Sequence, residues 1–575
     1  MTPRTKLSAA AVIALAALLY AACWGSFYVG YFNDDVMYIA LARSLGAGTG
    51  YCDIEFPDAP VHYKFPPALP AMLVPFQALQ PEALGAMQAV SLGFALAGIA
   101  LLIVWLCDAP PSLRWGSALL LACNPFLVRY ASTVMSDVPF LAVTLLYLVV
   151  TRNLANEPPS PRQAALLGGV AAFAFYLRSI GAVLVPATVL AMVVRRQGWR
   201  PVAAHVAAFG ACILPWIMRR GLLVYQGAVS DGFAQTPWYL IARENLWFYI
   251  PGLPLTIWSD PIRAMSRLLG PEPSSVGWVL VAITWVLLAM GFARREGRRP
   301  SPAGFLFMMY GAAFVLWPYR DIRFFVPMLP LLVVYFATGL QALAEPLGHP
   351  RKDRAVIALT GLMALWLTGL DLYNATHTAP EDKNAPLATS AWARANLPEG
   401  VPVCTRSGAL WLYSGHPVEV LGEWPGSAEG AVHDILKGRC EYVLLRSGTV
   451  PDAVAPEWWE TVARRPAMFE PVYTCAPENA VMYRIVGHRA RFLQAYDAFV
   501  RSVQKVSAGQ TEPAQADLRE CVRLEPDFPP AEFNLALLDW QAGHRVEAEQ
   551  RLNALLARHP DHAKARALLE QMRTR

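Results

Sequence analysis

Three acidic residues border apolar segments of this 575-residue chain. Asp34 and Asp35 follow directly on the first apolar stretch, and Asp137 precedes a later one. Asn and Asp favour turns, so a solvated loop is one interpretation of the acidic pair. Acids beside apolar sequence are also typical of functional sites at a membrane edge, because a charge there is costly without a partner. The pattern therefore predicts a catalytic carboxylate at Asp34, accompanied by Asp35 and Asp137.

Five further residues are candidates for binding an anionic substrate. They lie in short polar segments between apolar runs: Tyr63, Lys64, Arg178, Arg320 and Arg323. Taken singly, each cation is explained by snorkelling at an interface or by pairing with a structural acid such as Asp321. Taken together with the carboxylates, these residues would bind a phosphate group and activate a hydroxyl.

The elements that must position these residues are predicted membrane helices. The chain is 55% hydrophobic and 16% charged, against roughly 25% charged residues in soluble domains, and its mean hydropathy is +0.34. The first apolar stretch, about residues 7–29, exceeds the usual signal-peptide core, so we expect a retained helix. With the later runs, this predicts a polytopic α-helical membrane protein of about 11 spans within residues 1–375. The later runs centre on about 84–106, 113–131, 135–151, 162–178, 180–194, 201–218, 276–293, 303–317, 324–343 and 355–373.

The distribution of basic residues predicts the orientation of these helices. With the N-terminus inside, nearly every strong basic cluster falls on the inner side, as the positive-inside rule requires. An odd number of spans then places the C-terminal third outside, together with two long loops at about 31–83 and 220–275. We therefore predict a multi-pass protein of a bacterial-type inner membrane whose candidate site faces the periplasm. The net charge of +5 is small and its basic residues lie in short clusters, which argues against a nucleic-acid partner.

Two soluble segments follow the predicted membrane domain. Residues 376–488 combine helix-like and strand-like runs, which predicts a small outer α/β domain. Residues 489–575 contain a repeat at an offset of 34 residues, which is typical of tetratricopeptide units. The matching pairs are Gly509 and Gly543, Ala514 and Ala548, Leu518 and Leu552, and Pro526 and Pro560. Such arrays create concave binding surfaces, so a protein or peptide ligand and a purely stabilising appendage are both open.

The nine cysteines are scattered along the chain. The sequence contains no C-x-x-C pair, which argues against a zinc or redox motif. If the polar segments lie outside the cytoplasm, one disulfide among Cys404, Cys440 and Cys475 is an open alternative.

The order of the motifs carries a family resemblance. An acidic pair follows the first span, a Lys-plus-Pro-Pro segment occupies residues 64–67 of the first outer loop, and Asp137 lies near the turn between the third and fourth spans. An Arg-rich turn runs into residues 324–330. Over about residues 8–375 these features resemble GT-C fold glycosyltransferases, and most closely the protein O-mannosyltransferase and aminoarabinose transferase group. The α/β segment is similar to the outer domains of bacterial members.

This resemblance implies a donor and a catalytic position. The donor would be a sugar linked to a polyprenyl phosphate, and Asp34 takes the position of the family's catalytic carboxylate. Asp35 stands where many members have Glu. Met37 stands where aminoarabinose transferases tend to have Arg, so the sugar is not identified and the enzyme is a hexosyl- or pentosyltransferase.

A lipid-phosphate donor fits the candidate residues. A phosphate leaving group needs cations rather than the general acid of a glycosidase. The candidate cations are Lys64, Arg178, Arg320 and Arg323. Asp34 would accept the proton of the acceptor hydroxyl, Asp137 would orient the acceptor or a basic residue, and Asp35 would fix the loop. Direct displacement of this kind inverts the anomeric centre.

Other functions stay open at this stage. The sequence indicates no definite cofactor and leaves metal dependence open, because Asp34, Asp35 and Asp137 could coordinate a divalent metal ion. The acceptor is undefined and could be a protein, a lipid or a glycan. A multi-span transporter would also explain buried charges, but it predicts charges near the mid-bilayer and inverted repeats. A non-enzymatic membrane scaffold would need only the tetratricopeptide units.

Overall fold

The computed structural model describes most of the chain, in two compact units. The described residues are 3–25, 27–79, 84–152, 158–220, 236–258, 275–298, 300–377, 385–421, 428–447, 454, 456–487 and 489–574. The first unit comprises Met1–Ile54 and Ala59–Ala385, and the second comprises Glu55–Asp58 and Pro386–Arg575. A short segment of the first connection therefore belongs to the second unit. The proposed domain boundaries at residues 375 and 488 stay predictions.

The described part of the first unit is helical. Its α-helices are α1 (Pro3–Ala22), α2 (Asp34–Gly46), α3 (Ala68–Leu79), α4 (Leu84–Trp105), α5 (Pro111–Ala122), α6 (Pro125–Tyr130), α7 (Asp137–Thr151), α8 (Pro161–Leu177), α9 (Leu184–Val194), α10 (Trp199–Arg220), α11 (Trp238–Trp258), α12 (Ser275–Glu296), α13 (Pro302–Val315), α14 (Leu329–Leu343) and α15 (Arg351–His377). Short 3-10 helices cover Ser179–Val183, Ile322–Met328 and Glu345–Leu347.

Among the described residues of this unit, six segments are long and apolar enough to cross a membrane, judged by length and composition. They are Thr5–Ala22, Leu84–Trp105, Trp199–Arg219, Trp278–Glu296, Ile322–Leu343 and Arg351–His377. Four shorter apolar helices are Ala68–Gln77, Asp137–Thr151, Ser179–Val194 and Pro302–Val315. The predicted count of about 11 spans is therefore not confirmed, because several apolar runs form helices shorter than the roughly 20 residues that one crossing needs.

Two predicted segments differ from the observed elements. The apolar run at 113–131 is divided between α5 and α6 at Asn124, whose side chain accepts hydrogen bonds from the backbone N–H groups of Phe126 and Leu127 at 3.1 and 3.4 Å. Proline at the next position suits the first turn of a helix. The predicted loop at 220–275 contains α11, and most of its other residues lie outside the described part of the chain.

The second unit begins with a mixed α/β segment. Its helices are α16 (Leu387–Asn396), α17 (Ala409–Ser414), α18 (Ala428–Lys437) and α19 (Pro456–Ala463), and its strands are β1 (Val403–Thr405), β2 (Val418–Val420), β3 (Tyr442–Arg446), β4 (Phe469–Cys475) and β5 (Ala480–Ile485). The strand order is β2-β1-β3-β5-β4, with β1 parallel to β2 and β3, and β5 antiparallel to β3 and β4. The segment Glu55–Asp58 joins this sheet, because the Val418 N–H donates to the Glu55 carbonyl at 2.8 Å. The predicted location of this segment outside the membrane stays a prediction.

The helices that end the chain pack directly on the sheet. They are α20 (Arg489–Ser507), α21 (Thr511–Leu524), α22 (Pro529–Gln541), α23 (Arg545–Arg558) and α24 (Ala563–Thr574). Phe492 of α20 and Phe528 before α22 are fully buried in one core with Val443 and Leu445 of β3. The first repeat therefore shares its apolar core with the α/β segment, and the repeats are not a detached appendage. All nine cysteines are free thiols, so the disulfide considered above does not form here.

Candidate active site

The acidic pair begins α2, and its two members have different surroundings. Asp35 is 1% exposed, and its carboxylate accepts hydrogen bonds from the backbone N–H groups of Gly30 at 2.6 Å and Val36 at 3.0 Å. Gly30 has φ of 105°, which a side chain rarely tolerates. Burial raises the pKa of the Asp35 carboxyl to about 7, against the opposing effect of those backbone hydrogen bonds. Asp35 thus ties the end of the preceding turn to α2, which supports the loop-fixing role predicted for it.

Asp34 faces a partner from the other end of the first unit. Its Oδ2 accepts a hydrogen bond from the Arg323 guanidinium at 2.9 Å. Arg323 lies in the 3-10 helix Ile322–Met328, whose first turn is capped by Asp321: the Asp321 carboxylate accepts from the Arg323 N–H at 2.8 Å. Arg323 Nε also lies 3.6 Å from Asp321. The side chains of Asp34 and Arg323 keep 23% and 12% of their surface exposed, so neither is fully buried.

A second ion pair joins Asp137 to Arg178. Asp137 is the first residue of α7, and Arg178 follows α8 in extended conformation, with φ −148° and ψ 130°. The guanidinium donates to Asp137 Oδ1 at 2.5 Å and to the Ser136 hydroxyl at 3.5 Å. The Asp137 side chain is 0% exposed. Its other oxygen, Oδ2, is also buried and has no hydrogen-bond partner among the described residues.

Tyr38 lies beside the Asp137–Arg178 pair and interacts electrostatically with Asp34. Its hydroxyl shares a 2.9 Å hydrogen bond with the Ser136 hydroxyl, next to Asp137. Burial raises the pKa of the Tyr38 phenol, and the charges of Arg178, Asp34 and Asp137 all act on it. One buried phenol therefore lies within electrostatic reach of members of both pairs.

Asp321 also lies within electrostatic reach of both ion pairs. Burial raises the pKa of its carboxyl, the positive charges of Arg323 and Arg178 oppose this shift, and the negative charge of Asp137 adds to it. The predicted residues Asp34, Asp137, Arg178 and Arg323 thus belong to one cluster. Sequence reasoning treated Asp321 only as a structural partner.

The segment with Tyr63 and Lys64 reaches the site through aromatic contacts. The Lys64 ammonium lies 4.8 Å from the centre of the Phe65 ring, and that ring lies 4.8 Å from the Tyr38 ring. The Phe65 N–H donates to His62 Nε2 at 2.6 Å, and His62 Nδ1 lies 2.6 Å from Asp53 Oδ1. Tyr63 is 40% exposed and has no hydrogen bond or ion pair among the described residues.

The His62–Asp53 pair was not predicted from the sequence. Its two residues hold opposite ends of a hairpin whose isolated bridge joins Cys52 and Val61. The His62 N–H donates to the Tyr51 carbonyl at 2.9 Å. A histidine two residues before the predicted lysine was the available signal, but nothing in the sequence indicated its partner.

Solved structures share this architecture. ArnT from Cupriavidus metallidurans in the apo state matches 84% of this chain and 98% of its own, with 14% sequence identity and a TM-score of 0.52. ArnT bound to undecaprenyl phosphate matches the same shares with 13% identity and a TM-score of 0.51. The Archaeoglobus fulgidus oligosaccharyltransferase in complex with zinc and sulfate matches 75% of this chain and 67% of its own, with 14% identity and a TM-score of 0.50. This chain has the GT-C fold.

The sequence comparisons add a second finding. Residues 505–572 match the tetratricopeptide repeat family, which confirms the repeat seen at an offset of 34 residues. No curated protein matches the chain. At the identities above, the GT-C likeness concerns the fold, and the catalytic roles of individual residues stay predictions.

Arg320 of the first unit was predicted to belong to the site but pairs with a residue outside the cluster. Its guanidinium lies 3.1 Å from Glu244 of α11, and both side chains are nearly half exposed. It therefore pairs with Glu244 rather than with Asp34, Asp137 or Asp321. The sequence could not separate Arg320 from Arg323, because both belong to the same short turn.

A metal ion at the three predicted carboxylates is not supported. Among the described residues, Asp34, Asp35 and Asp137 do not form a group of three ligands. The carboxylates have other partners: Asp35 accepts a hydrogen bond from the backbone N–H of Gly30, and Asp137 is paired with Arg178. Among the described residues, a group of three potential ligands close enough to share one ion lies in the second unit and consists of Cys404, Glu419 and Cys440.

Proposed function

We propose that this protein is a membrane glycosyltransferase that moves a sugar from a polyprenyl-phosphate donor to an acceptor hydroxyl. The observation that carries the proposal is the Asp34–Arg323 pair, 2.9 Å apart and with a partly exposed carboxylate, together with the Asp137–Arg178 pair, whose carboxylate is fully buried. A carboxylate and a guanidinium that both reach solvent supply a proton acceptor and a phosphate ligand in one place. The GT-C fold, shared with an ArnT structure that contains undecaprenyl phosphate, supports a lipid-phosphate donor.

In the proposed reaction Asp34 is the general base. The acceptor oxygen forms a bond to the anomeric carbon while the bond from that carbon to the donor phosphate breaks. The proton of the acceptor hydroxyl passes to Asp34, and the lipid phosphate leaves with the electron pair. The displacement inverts the anomeric centre, and no general acid is needed because the leaving phosphate is a weak base.

The arginines stabilise the charge that develops on the leaving phosphate. Arg323 is the cation paired with the partly exposed Asp34, and its contact with Asp321 fixes the start of its helix. Arg178 is 16% exposed and is held by Asp137 and Ser136, so it presents a positioned positive charge rather than a mobile one. Preorganised donors of this kind act most strongly where water is partly excluded.

The remaining parts of the proposal concern location and architecture. We place the site at the periplasmic face of a bacterial inner membrane, with residues 376–575 on the same side, because basic clusters concentrate on the predicted inner connections. Residues 1–375 would form the transferase domain, 376–488 an outer α/β domain and 489–575 the tetratricopeptide array. That array is the proposed contact for a protein or peptide, which makes a protein acceptor one of the candidates.

Sugar transfer by purified protein in lipid nanodiscs tests the proposal. A panel of polyprenyl-phosphate hexoses and pentoses is supplied, and both transfer to added acceptors and donor hydrolysis are measured. Asp34→Asn is compared with Asp108→Asn, which makes the same change at an exposed aspartate that lies 3.7 Å from Arg152. We expect turnover with at least one donor, loss of turnover in Asp34→Asn and retention in Asp108→Asn. Full activity in Asp34→Asn would remove it as the base, and no turnover with any donor would favour a transporter or a scaffold.

A further inference from the structure

Three potential metal ligands converge on one side of the sheet in the second unit. Cys404 on β1 and Glu419 on β2 are directly paired in the parallel register. Cys440 lies between α18 and β3. Both thiols are buried, with 1% and 0% of their surface exposed. The three residues come from three different elements, so their proximity is a property of the fold.

The donor atoms have the spacing of a tetrahedral metal site. Cys440 Sγ lies 3.4 Å from Glu419 Oε2, and Cys404 Sγ lies 3.9 Å from the same oxygen. All three donor atoms lie within 4.8 Å of one another. For zinc, bonds of about 2.3 Å to sulfur and about 2.0 Å to oxygen at tetrahedral angles put neighbouring ligands about 3.5 Å apart. Only small side-chain adjustments separate the observed positions from that geometry.

The surrounding backbone holds the ligands in place. The Arg439 N–H donates to both oxygens of Glu419, at 3.2 and 2.9 Å. The Arg489 guanidinium donates to the carbonyls of Gly438 and Cys440, at 3.1 and 2.5 Å. A Cβ at position 438 would overlap the Glu419 carboxylate, so a side chain there would displace the proposed ligand. Partners that orient metal ligands in this way are a regular feature of metal sites.

We propose that Cys404, Glu419 and Cys440 form a binding site for a thiophilic divalent cation, with zinc as the preferred ion. Binding would replace the two thiol protons, which are released to solvent, by two sulfur–metal bonds, and the Glu419 carboxylate would supply the third ligand. Glu419 is only partly buried, so a water molecule can complete four-coordination. The ion would join the exit of α18 to β1 and β2, and its role would be to stabilise the second unit.

The spacing of the ligands explains why sequence patterns miss this site. Zinc motifs are normally found through closely spaced pairs such as C-x-x-C. Here the two cysteines are separated by 35 residues, and the third ligand is a glutamate on a neighbouring strand. The site also does not depend on the proposed transferase activity, because all three ligands lie in the second unit.

Metal content of the full-length protein in detergent tests the proposal. The protein is purified without chelators, dialysed and analysed by elemental mass spectrometry, before and after incubation with zinc chloride and a phosphine reductant. We expect about one zinc ion per chain in the wild type and loss of zinc in Cys404→Ser and Cys440→Ser. Cys475→Ser and Cys521→Ser, which change buried thiols outside the cluster, should retain it. A wild type that binds no zinc after incubation overturns the proposal.

Two further measurements cover variants that fail to fold and a competing thiol chemistry. Glu419→Gln keeps both thiols, and we expect it to bind zinc at least tenfold more weakly and to weaken the thiolate-to-metal absorption of the cobalt-substituted protein. Alkylation followed by intact-mass analysis without reductant distinguishes a metal site from a disulfide. In the metal site both thiols react only after a chelator is added. A Cys404–Cys440 disulfide in the isolated protein overturns the proposal.

Discussion

The carboxylates of the two aspartate–arginine pairs in the candidate site differ in their access to solvent, whereas the two arginines are similarly buried. Asp34 keeps 23% of its side-chain surface exposed, whereas Asp137 keeps 0%. An exposed carboxylate can exchange its arginine for a substrate with little loss, because water compensates both charges. A sealed carboxylate cannot, because removing its partner leaves a buried charge. In the proposed reaction the two pairs therefore have different tasks: Asp34–Arg323 would contact the substrate, and Asp137–Arg178 would position the site.

The local connections of the pairs point in the same direction. Arg178 donates to both Asp137 and Ser136, and the Ser136 hydroxyl shares a hydrogen bond with Tyr38, so this pair is part of a largely buried network. Arg323 is held at its backbone by Asp321, and this leaves its guanidinium directed at Asp34. The comparison predicts that substitutions in the first pair change rate, and that substitutions in the second change stability before rate.

The largest expected effect is on turnover in Asp34→Asn. Loss of a general base typically lowers the rate 10²–10⁴-fold, and we expect transfer to fall by that factor. The apparent melting temperature should fall less than on substitution of Asp137, because Asp34 is partly exposed and the amide of Asn can still accept a hydrogen bond from Arg323. Initial rates in nanodiscs and thermal unfolding in detergent measure the two quantities. A variant that loses stability but keeps its rate per folded molecule would reverse the assignment of the two pairs.

The second effect is on stability in Asp137→Ala. Removing one member of a buried pair leaves Arg178 uncompensated, which destabilises proteins by about 3–5 kcal/mol. The double variant Asp137→Leu with Arg178→Met removes both charges and should recover most of the lost thermal stability. If Arg178 also stabilises the leaving phosphate, this variant stays inactive although it is folded. Recovery of transfer along with stability would limit the second pair to a structural role.

Arg323→Lys is expected to have an intermediate effect. Lysine keeps the charge but loses the planar fork that can bind a carboxylate and a phosphate together. A lost charge-assisted hydrogen bond is worth about 1.5–3 kcal/mol, so kcat/KM should fall about 10- to 100-fold. Steady-state kinetics with varied donor measure this change. Arg129→Lys is a control at another arginine of the first unit, which lies over the Phe27 ring. Equal losses in both variants would indicate that the effect is not specific to Arg323.

The next effect is a pH dependence of stability that originates at Asp35. Burial raises the pKa of its carboxyl to about 7 in the folded state, from an ordinary value of 3.8. The unfolded chain releases this proton above about pH 4 while the folded chain keeps it, so the contribution to stability falls as pH rises from about 4 to 7 and then levels off. Asp35→Asn removes this titration. The difference in apparent melting temperature between variant and wild type should grow over that pH range, and a constant difference would contradict the pKa.

The positions of charged residues beside apolar runs predicted much of this site, but they did not predict which acid pairs with which arginine. Asp34, Asp137, Arg178 and Arg323 were identified because each borders an apolar run, where a charge needs a partner. Which acid meets which base depends on how helices far apart in sequence pack, as the 289-residue separation of Asp34 and Arg323 shows. No local pattern encodes that contact.

The fold was also predicted only in part: the types of element were predicted, and their number and contacts were not. Apolar runs indicated a helical membrane unit, and the 34-residue offset indicated the repeats, because both are periodic signals. The number of spans was less accessible, because apolarity does not show where a run is interrupted, as at Asn124, or how short the resulting helix is. The metal-ligand cluster was missed for the related reason that its members meet only when β1 pairs with β2 and the turn between α18 and β3 packs beside them.

Substitution of Arg320 is expected to have the smallest effect, and it tests whether exposure alone marks an arginine that contacts substrate. Its partner Glu244 is as exposed as Arg320 itself, at 44% and 45%, and such surface pairs contribute about 0–1 kcal/mol. Arg320→Ala should therefore change kcat/KM by less than about threefold and leave the melting temperature nearly unchanged, and Glu244→Ala should match it. If Arg320→Ala instead lowers donor binding tenfold while Glu244→Ala does not, Arg320 leaves Glu244 to contact the donor phosphate. Exposure would then mark substrate contact at a second arginine of the same turn, and the active site would extend from Asp34 across Arg323 toward α11.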